Sequence, residues 1–271
     1  MKSYFFLTGI LFIVRFASGQ INCIVFETGD CKKSCEYYNR ALNYPQGSRQ
    51  SQSLFDSAIY YCPSFAEAYR EKSVPFLKRG LFMEWKKIMD KAVDLNPRMY
   101  IGIRGWCLFK FLKDYKNALS DFVRLDSLAN GKMGTSGDGE YPLRILMALS
   151  KREVGDCKGA LSEFDKSISA SEKNNSIGRY DYLLRGITKL KCMDLSGALA
   201  DFEKQNVIYS SLADTYYYTG QVYLLLKKQD LADRHFIKAK ELFKGSGYHR
   251  QDPYCSLLDE VSLADVESVA K

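Results

Sequence analysis

Histidine and proline are scarce, with 2 His and 6 Pro in 271 residues. Neither His235 nor His249 has a partner at ligand spacing, so a zinc site or a histidine-based triad lacks its residues. Few prolines leave room for long helices. No apolar run reaches the about 18 residues a spanning helix needs, so no integral membrane segment is expected in the mature chain. Charge of one sign barely dominates: the net charge of +7 is mild for this size, and no nucleic-acid partner is expected. The glycine-rich run 131–139 lacks the Gly-Lys-Ser/Thr ending of a phosphate loop and follows no strand. Read as a calcium loop from Asp126, it puts Leu128 and Gly137 at ligand positions and fails. It is expected to be a mobile loop. Cys31 and Cys35 are spaced CxxxC rather than CxxC, with no βαβ pattern around them, which argues against redox catalysis. No cofactor and no metal are expected.

What is present is an ordinary folded composition, 46% hydrophobic and 26% charged, with aromatics high at 14%. That excludes a disordered chain or a collagen. Residues 1–19 read as a signal peptide: Lys2, an apolar stretch from Tyr4 to Val14, then Ala17-Ser18-Gly19 ahead of a cleavage before Gln20. Arg15 behind the apolar stretch is a departure, and a buried N-terminal helix or an uncleaved anchor is the plainer alternative. Asn22 before Cys23 does not make a lipoprotein signal. The expected location is periplasmic or secreted. All 8 Cys follow the leader, so disulfides are permitted there. They are too sparse to build a scaffold, and burial as small hydrophobes is expected of at least half.

A small residue, a bulky one four on and a small one three further recur along the chain. The triples are Ser51, Phe55 and Ala58; Trp85, Met89 and Ala92, with bulkier choices; Ala118, Phe122 and Leu125; Ala160, Phe164 and Ser167; Ala198, Phe202 and Gln205; Ala232, Phe236 and Ala239. First members lie 34, 33, 42, 38 and 34 residues apart, a period that marks a repeat architecture. The two long gaps coincide with insertions near 130–140 and 172–178. Spacings of four and three put each triple on one stripe of a helix. A second helical stretch precedes each triple across a short turn, at Pro45-Gln46-Gly47, Gly80, Lys113-Asp114, Gly155-Asp156, Met193-Asp194 and Lys228-Gln229. Each unit reads helix, turn, helix, stop, and the fold class is all-α.

In these features the units resemble tetratricopeptide (TPR) repeats. The strings Asp114-Tyr115-Lys116-Asn117-Ala118-Leu119-Ser120-Asp121-Phe122 and Gly155-Asp156-Cys157-Lys158-Gly159-Ala160-Leu161-Ser162-Glu163-Phe164 carry the likeness, with Gly186 and Gly220 in the small slot of the first helix. The resemblance spans 32–246 as six units beginning near Lys32, Ala66, Met99, Tyr141, Arg179 and Ala213. It implies a right-handed α-solenoid whose units bury one another's apolar stripes. Residues 20–31 are a lead-in, with Ile24, Val25 and Phe26 tucking under the first unit. Residues 247–271 are a capping helix with Leu257, Leu258, Val261 and Ala264 inward. Three departures stand out. Trp106 falls in or beside a small slot, Trp85 replaces a small residue and splays its hairpin, and Pro75 should kink a first helix. In an antiparallel hairpin the start of the first helix lies beside the end of the second, so Cys31 or Cys35 can reach Cys62. Cys35–Cys62 is the candidate disulfide, with Cys157–Cys192 a second, stretched by the roughly 8–10 Å between helices.

The resemblance also implies that ligands lie on the surface lined by first helices. On this register that groove carries Arg40, Arg70, Tyr100, Arg104, Tyr180, Tyr217 and Gln221, with Cys107, Leu183 and Ile187 at neighbouring exposed positions. Tyrosine offers stiff contact area and arginine forks onto carboxylates, although the same tyrosines suit helix packing equally well. Glu36 and Arg40 stand where family members that grip a terminal carboxylate need Lys and Asn, so that mode is not expected. The function expected is a non-enzymatic exported scaffold binding a protein or peptide segment. The alternative is a carbohydrate or cell-wall binding module using groove tyrosines. An enzyme on a helical solenoid, acting through Cys107 or Glu140, is a third reading. An intracellular adaptor is a fourth, and it requires the leader to be misread. Asn174-Asn175-Ser176 is a glycosylation sequon.

Overall fold

The second helix of most hairpins starts on a residue that its turn supplies. Asp114, Asp156 and Asp194 accept the backbone N–H three residues on, from Asn117, Gly159 and Gly197, at 3.2, 2.8 and 2.9 Å. A side-chain acceptor there satisfies a donor that the helix itself cannot. The residue before each cap is left-handed, with φ of 55° at Lys113, 88° at Gly155 and 65° at Met193. Lys227, at φ 58°, repeats the step before the last second helix.

The structure is a computed structural model and describes residues 20–26 and 29–270. The expected leader, 1–19, lies outside the described residues. The chain divides into two compact units, one ending at Leu95 and one beginning at Asn96. In the first, α1 (Asp30–Ala41) pairs with α2 (Arg49–Tyr61), and α3 (Ala66–Lys78) with α4 (Phe82–Leu95). In the second, α5 (Pro97–Lys110) pairs with α6 (Tyr115–Leu128), α7 (Leu143–Glu153) with α8 (Cys157–Lys173), α9 (Asp181–Lys191) with α10 (Leu195–Ile208), and α11 (Ala213–Leu225) with α12 (Gln229–Lys244). A short α13 (Leu263–Val269) comes last. Among the described residues there is no strand. The first helices α5, α7, α9 and α11 touch in that order, so they share one face of the second unit.

Every residue of the six triples is buried. Gly186 and Gly220 let a first helix press onto a phenylalanine: a Cβ there would sit 2.5 Å from the ring of Phe202 or Phe236. In the third hairpin Gly105 fills this role against Phe122, and Trp106 does not. The Trp106 indole instead lies against Gly137 of the 130–140 insertion. Gln205 caps the neighbouring helix, accepting the Leu183 N–H at 3.0 Å and donating to Arg179 O at 2.8 Å. Trp85 is taken wholly into the core of its hairpin, and α3 continues through Pro75 to Lys78.

Outside the groove positions, the structure departs from the sequence reading at four places. The 130–140 insertion is a folded turn: the Ser136 N–H donates to Tyr141 O at 2.8 Å and the Leu143 N–H to Gly134 O at 3.0 Å. In the lead-in, Ile21, Cys23 and Phe26 pack on the first core, while Ile24 and Val25 are exposed. Helix in the C-terminal segment is confined to α13, which Ser262 and Asp265 start with a reciprocal capping box. There Val261, Val266 and Ala270 are buried against Ala232, Phe236 and Ala239, whereas Ala264 is exposed.

The fourth departure is the disulfide pattern. Cys62 is bonded to Cys31 and Cys35 to Cys23, so the Cys35–Cys62 bridge is not formed. Cys31, one turn earlier on α1, lies opposite the end of α2, and Cys35 faces the lead-in. Cys157–Cys192 is formed, with Cα atoms 5.9 Å apart. It joins the start of α8 to the end of α9, where chain ends approach more closely than helix axes do. Cys107 and Cys255 lie outside the three bridges, so disulfide bonding claims more cysteines than expected.

Candidate functional site

The face built by α5, α7, α9 and α11 begins with charges already spoken for. Arg104 on α5 donates from Nε and Nη2 to both oxygens of Asp121 on α6, at 2.8 and 2.7 Å. Arg185 on α9 does the same to Asp201 on α10, at 2.8 and 2.6 Å, and reaches Asp165 on α8. Arg144 on α7 joins Glu163 on α8 at 2.6 Å and also Asp126 on α6. Asp121, Glu163 and Asp201 each directly precede the buried phenylalanine of their second helix. Burial works against the charge of Glu163, yet Lys166, Arg144 and Lys151 hold its carboxyl below the usual range. These forks clamp the two helices of a hairpin, and Arg104 is one of them.

Over this face lies the chain's own segment 248–260. Tyr248 enters beside α11, its N–H donating to Ser211 O at 2.9 Å and its O accepting the Ala213 N–H at 2.7 Å. Arg250, 2% exposed, comes next but one. Its N–H and Nε donate to Asp214 of α11 at 3.0 and 3.3 Å, and its Nη2 folds back to Leu258 O and Asp259 O. Burial pushes the Asp214 carboxyl up, against the pull of Arg250. Asp252 then reaches Lys110 at the end of α5, at 2.7 Å. Lys110 also holds Asp138 of the folded insertion at 2.7 Å. Lys113 donates to Ser256 O. Asp259 closes the run, taking Arg152 of α7 at 2.7 Å and Lys191 of α9 at 2.5 Å, while the Tyr218 hydroxyl donates to its carbonyl at 3.0 Å. Burial opposes the charge of Asp259, but Arg152 and Lys191 keep its carboxyl below the usual range. Asp252 is held low against the same opposition, by Lys110 and by the N–H groups of Tyr254 and Cys255.

The residues singled out from the sequence fare accordingly. Tyr100, Cys107, Leu183 and Ile187 are buried. Tyr180 is buried beneath the segment, hydrogen-bonded to Tyr248. Tyr217 is half-buried on Phe236, with ring centroids 5.9 Å apart, beneath the α13 cluster, and Gln221 is hydrogen-bonded to it. In the first unit Arg70 pairs with Glu71. Arg40 is exposed, 5.3 Å over the Tyr37 ring. It rims an open depression of about 450 Å³ lined also by Tyr44, Arg49, Gln50, Ser53 and Leu54. A second depression, about 360 Å³, is lined by Tyr69, Phe76 and Ile88 with Lys72, Lys87, Lys91 and Glu84.

Sequence reasoning missed Lys110, Arg152, Lys191 and Asp214 on the face, and Arg250, Asp252 and Asp259 above it. One signal was present: a cation stands in the last turn of α5, α7 and α9. Such cations ordinarily read as partners of the helix dipole.

No protein-family model and no curated protein matches the chain. Solved structures match its fold. PilW, a type IV pilus biogenesis factor, is similar with a TM-score of 0.58 and 16% identity over 78% of this chain and 94% of its own. PilF of Pseudomonas aeruginosa gives 0.56 and 16% over 80% and 95%. YrrB, described as a TPR protein with an unusual peptide-binding site, gives 0.53 and 18% over 69% and 91%. With six helical hairpins, five of them carrying the small-to-aromatic stripe, and these likenesses, the fold of this chain is that of the tetratricopeptide-repeat proteins.

Proposed function

We propose that the chain is an exported, non-enzymatic scaffold that holds a segment of another protein against its repeats. The fold carries this reading: stacked hairpins present long helix surfaces, and YrrB, a neighbour in fold, has a peptide-binding site. Export is supported by the leader-like residues 1–19 and by three disulfides, which persist in oxidising compartments. The first unit offers the open contact area. Its second depression is lined by Tyr69, Phe76 and Ile88 with Lys87, Lys91, Glu84 and Lys72, the last already paired with Asp56, which suits a segment with apolar anchors and a carboxylate for Lys87 or Lys91. The sugar-binding alternative loses its motive, because Tyr100 and Tyr180 are buried and Tyr217 packs on Phe236.

The test uses residues 20–271 as bait in the envelope or secreted fraction of the source. A variant with Arg40→Glu and Lys87→Glu, shown by circular dichroism to be folded, runs beside it. A protein enriched by the native bait and lost with the variant supports the scaffold; no enrichment overturns it. N-terminal sequencing of the chain from its source decides export. Gln20 at the start supports it, and an intact Met1 on soluble intracellular chain overturns it.

A further inference from the structure

We infer that residues 248–260 are a removable, built-in occupant of the first-helix face of the second unit. The face then takes, in their place, an extended segment of a partner protein carrying an arginine and carboxylates. The inference rests on the scaffold reading and adds, to the open depressions of the first unit, a second place where a partner segment is admitted.

The chemistry of the occupant is read from what already lies there. The face offers Lys110, Arg152 and Lys191 at the ends of α5, α7 and α9, Lys113 in the turn after α5, and Asp214 and Tyr218 on α11. The segment answers with one arginine for Asp214 and one carboxylate each for Lys110 and the Arg152–Lys191 pair. Three of these anchors are side-chain ion pairs, which a partner's side chains can replace one for one. Backbone-to-backbone bonds to this face are confined to Tyr248, with Ser211 and Ala213; the Arg250 N–H on Asp214 and the carbonyls of Ser256 and Asp259 under Lys113 and Tyr218 use side chains of the face. The rest of it is irregular, and Tyr254 near its middle is 87% exposed. Its two ends are held by neighbouring elements: α12 and Gly245 precede the run, and at its far end Val261 and α13 are anchored on the last hairpin. The run can therefore lift as a loop while the buried cap stays in place, and local opening of this kind precedes global unfolding.

The experiment uses the oxidised mature chain and a fluorescein-labelled peptide of residues 246–260. Three proteins are compared: native, Asp252→Asn with Asp259→Asn, and Arg152→Glu with Lys191→Glu. Loosening the built-in anchors raises the fraction of open face, so the double Asn variant should bind the peptide at least about tenfold more tightly than native chain. The charge-reversed face should not bind it. Excess peptide should speed maleimide labelling of Cys255, the half-buried thiol inside the run. Hydrogen exchange on native chain guards against a variant that fails to fold: the Tyr248 amide should exchange at least about a hundredfold faster than core amides of α9. Equal protection of Tyr248 and α9 would make the segment a permanent strut and overturn the inference. So would a double Asn variant that opens, by Cys255 labelling, yet binds no peptide. A species of twice the mass would mean exchange of the segment between two copies, which also overturns admission of a partner. Capture of a protein without any opening of the run would sink this inference and leave the scaffold standing. Peptide binding without any captured protein would show a displaceable run but overturn the scaffold and, with it, the admission of a partner.

Discussion

At Gly186 two effects of opposite sign meet. Alanine would add about 1 kcal/mol of helix propensity, but its Cβ would fall 2.5 Å from the ring of Phe202, itself fully buried. Overpacking of this kind costs roughly 1–3 kcal/mol, so Gly186→Ala should lose about 1 kcal/mol net in urea unfolding; a gain would show that Phe202 can yield. His235 makes a second test. It sits half-buried between the rings of Tyr216 and Tyr223, at 6.0 and 5.3 Å, and burial pushes its pKa down. The unfolded chain then takes the proton first, so stability is full above about pH 6.5 and falls as pH drops through that value toward the folded pKa. His235→Gln should flatten the urea midpoint between about pH 7 and pH 5, and an unchanged slope would place that titration elsewhere. At this scale the sequence spoke clearly where spacing decides: Phe122, Phe164, Phe202 and Phe236 all lie where the triples put them. It put Arg104 in the groove, where the structure forks it onto Asp121, because a cation one step round a first helix looks the same whether it faces a ligand or a neighbouring helix.

Elements were legible wherever turn chemistry repeats. Asp114, Asp156 and Asp194 marked real caps, and the left-handed residue before each is the recurring strain. Gly155 accepts that conformation freely, whereas Met193, exposed at φ 65°, does not. Met193→Gly should therefore raise stability by about 0.5–1 kcal/mol, read as a higher urea midpoint at unchanged slope; a loss would mean the turn changes conformation. The Cys157–Cys192 bridge closes 35 residues across two hairpins. Replacing both with Ser should cost roughly 2–4 kcal/mol, visible as a lower melting temperature; no change would mean the bridge adds nothing beyond the packing of α8 on α9. Its partners were readable because helix ends meet there. Cys35 was misassigned because its true partner, Cys23, sits in a lead-in with no periodicity to locate it. The segment 248–260 escaped for the same reason: its partners lie up to 143 residues away, and nothing local signals them.

For the molecule as a whole, the repeat period fixed fold class and unit count, while the contents of the face depended on long-range charge pairing that no window of sequence contains. Denaturation without reductant and subsequent alkylation should add two labels, on Cys107 and Cys255, and any larger number would mean the bridges are incomplete. Chain order also sets a sequence of events in time. Residues 248–260 are encoded after every helix they cover, and chains fold from the N-terminus as they are made, at about 5–20 residues per second. For seconds, then, each nascent molecule has Lys110 paired with Asp138 alone and Arg152 and Lys191 without Asp259, and the arrival of Asp252 and Asp259 completes the set. That closure doubles as a mark of completeness: a copy broken off before residue 248 keeps an open cationic face that finished copies conceal.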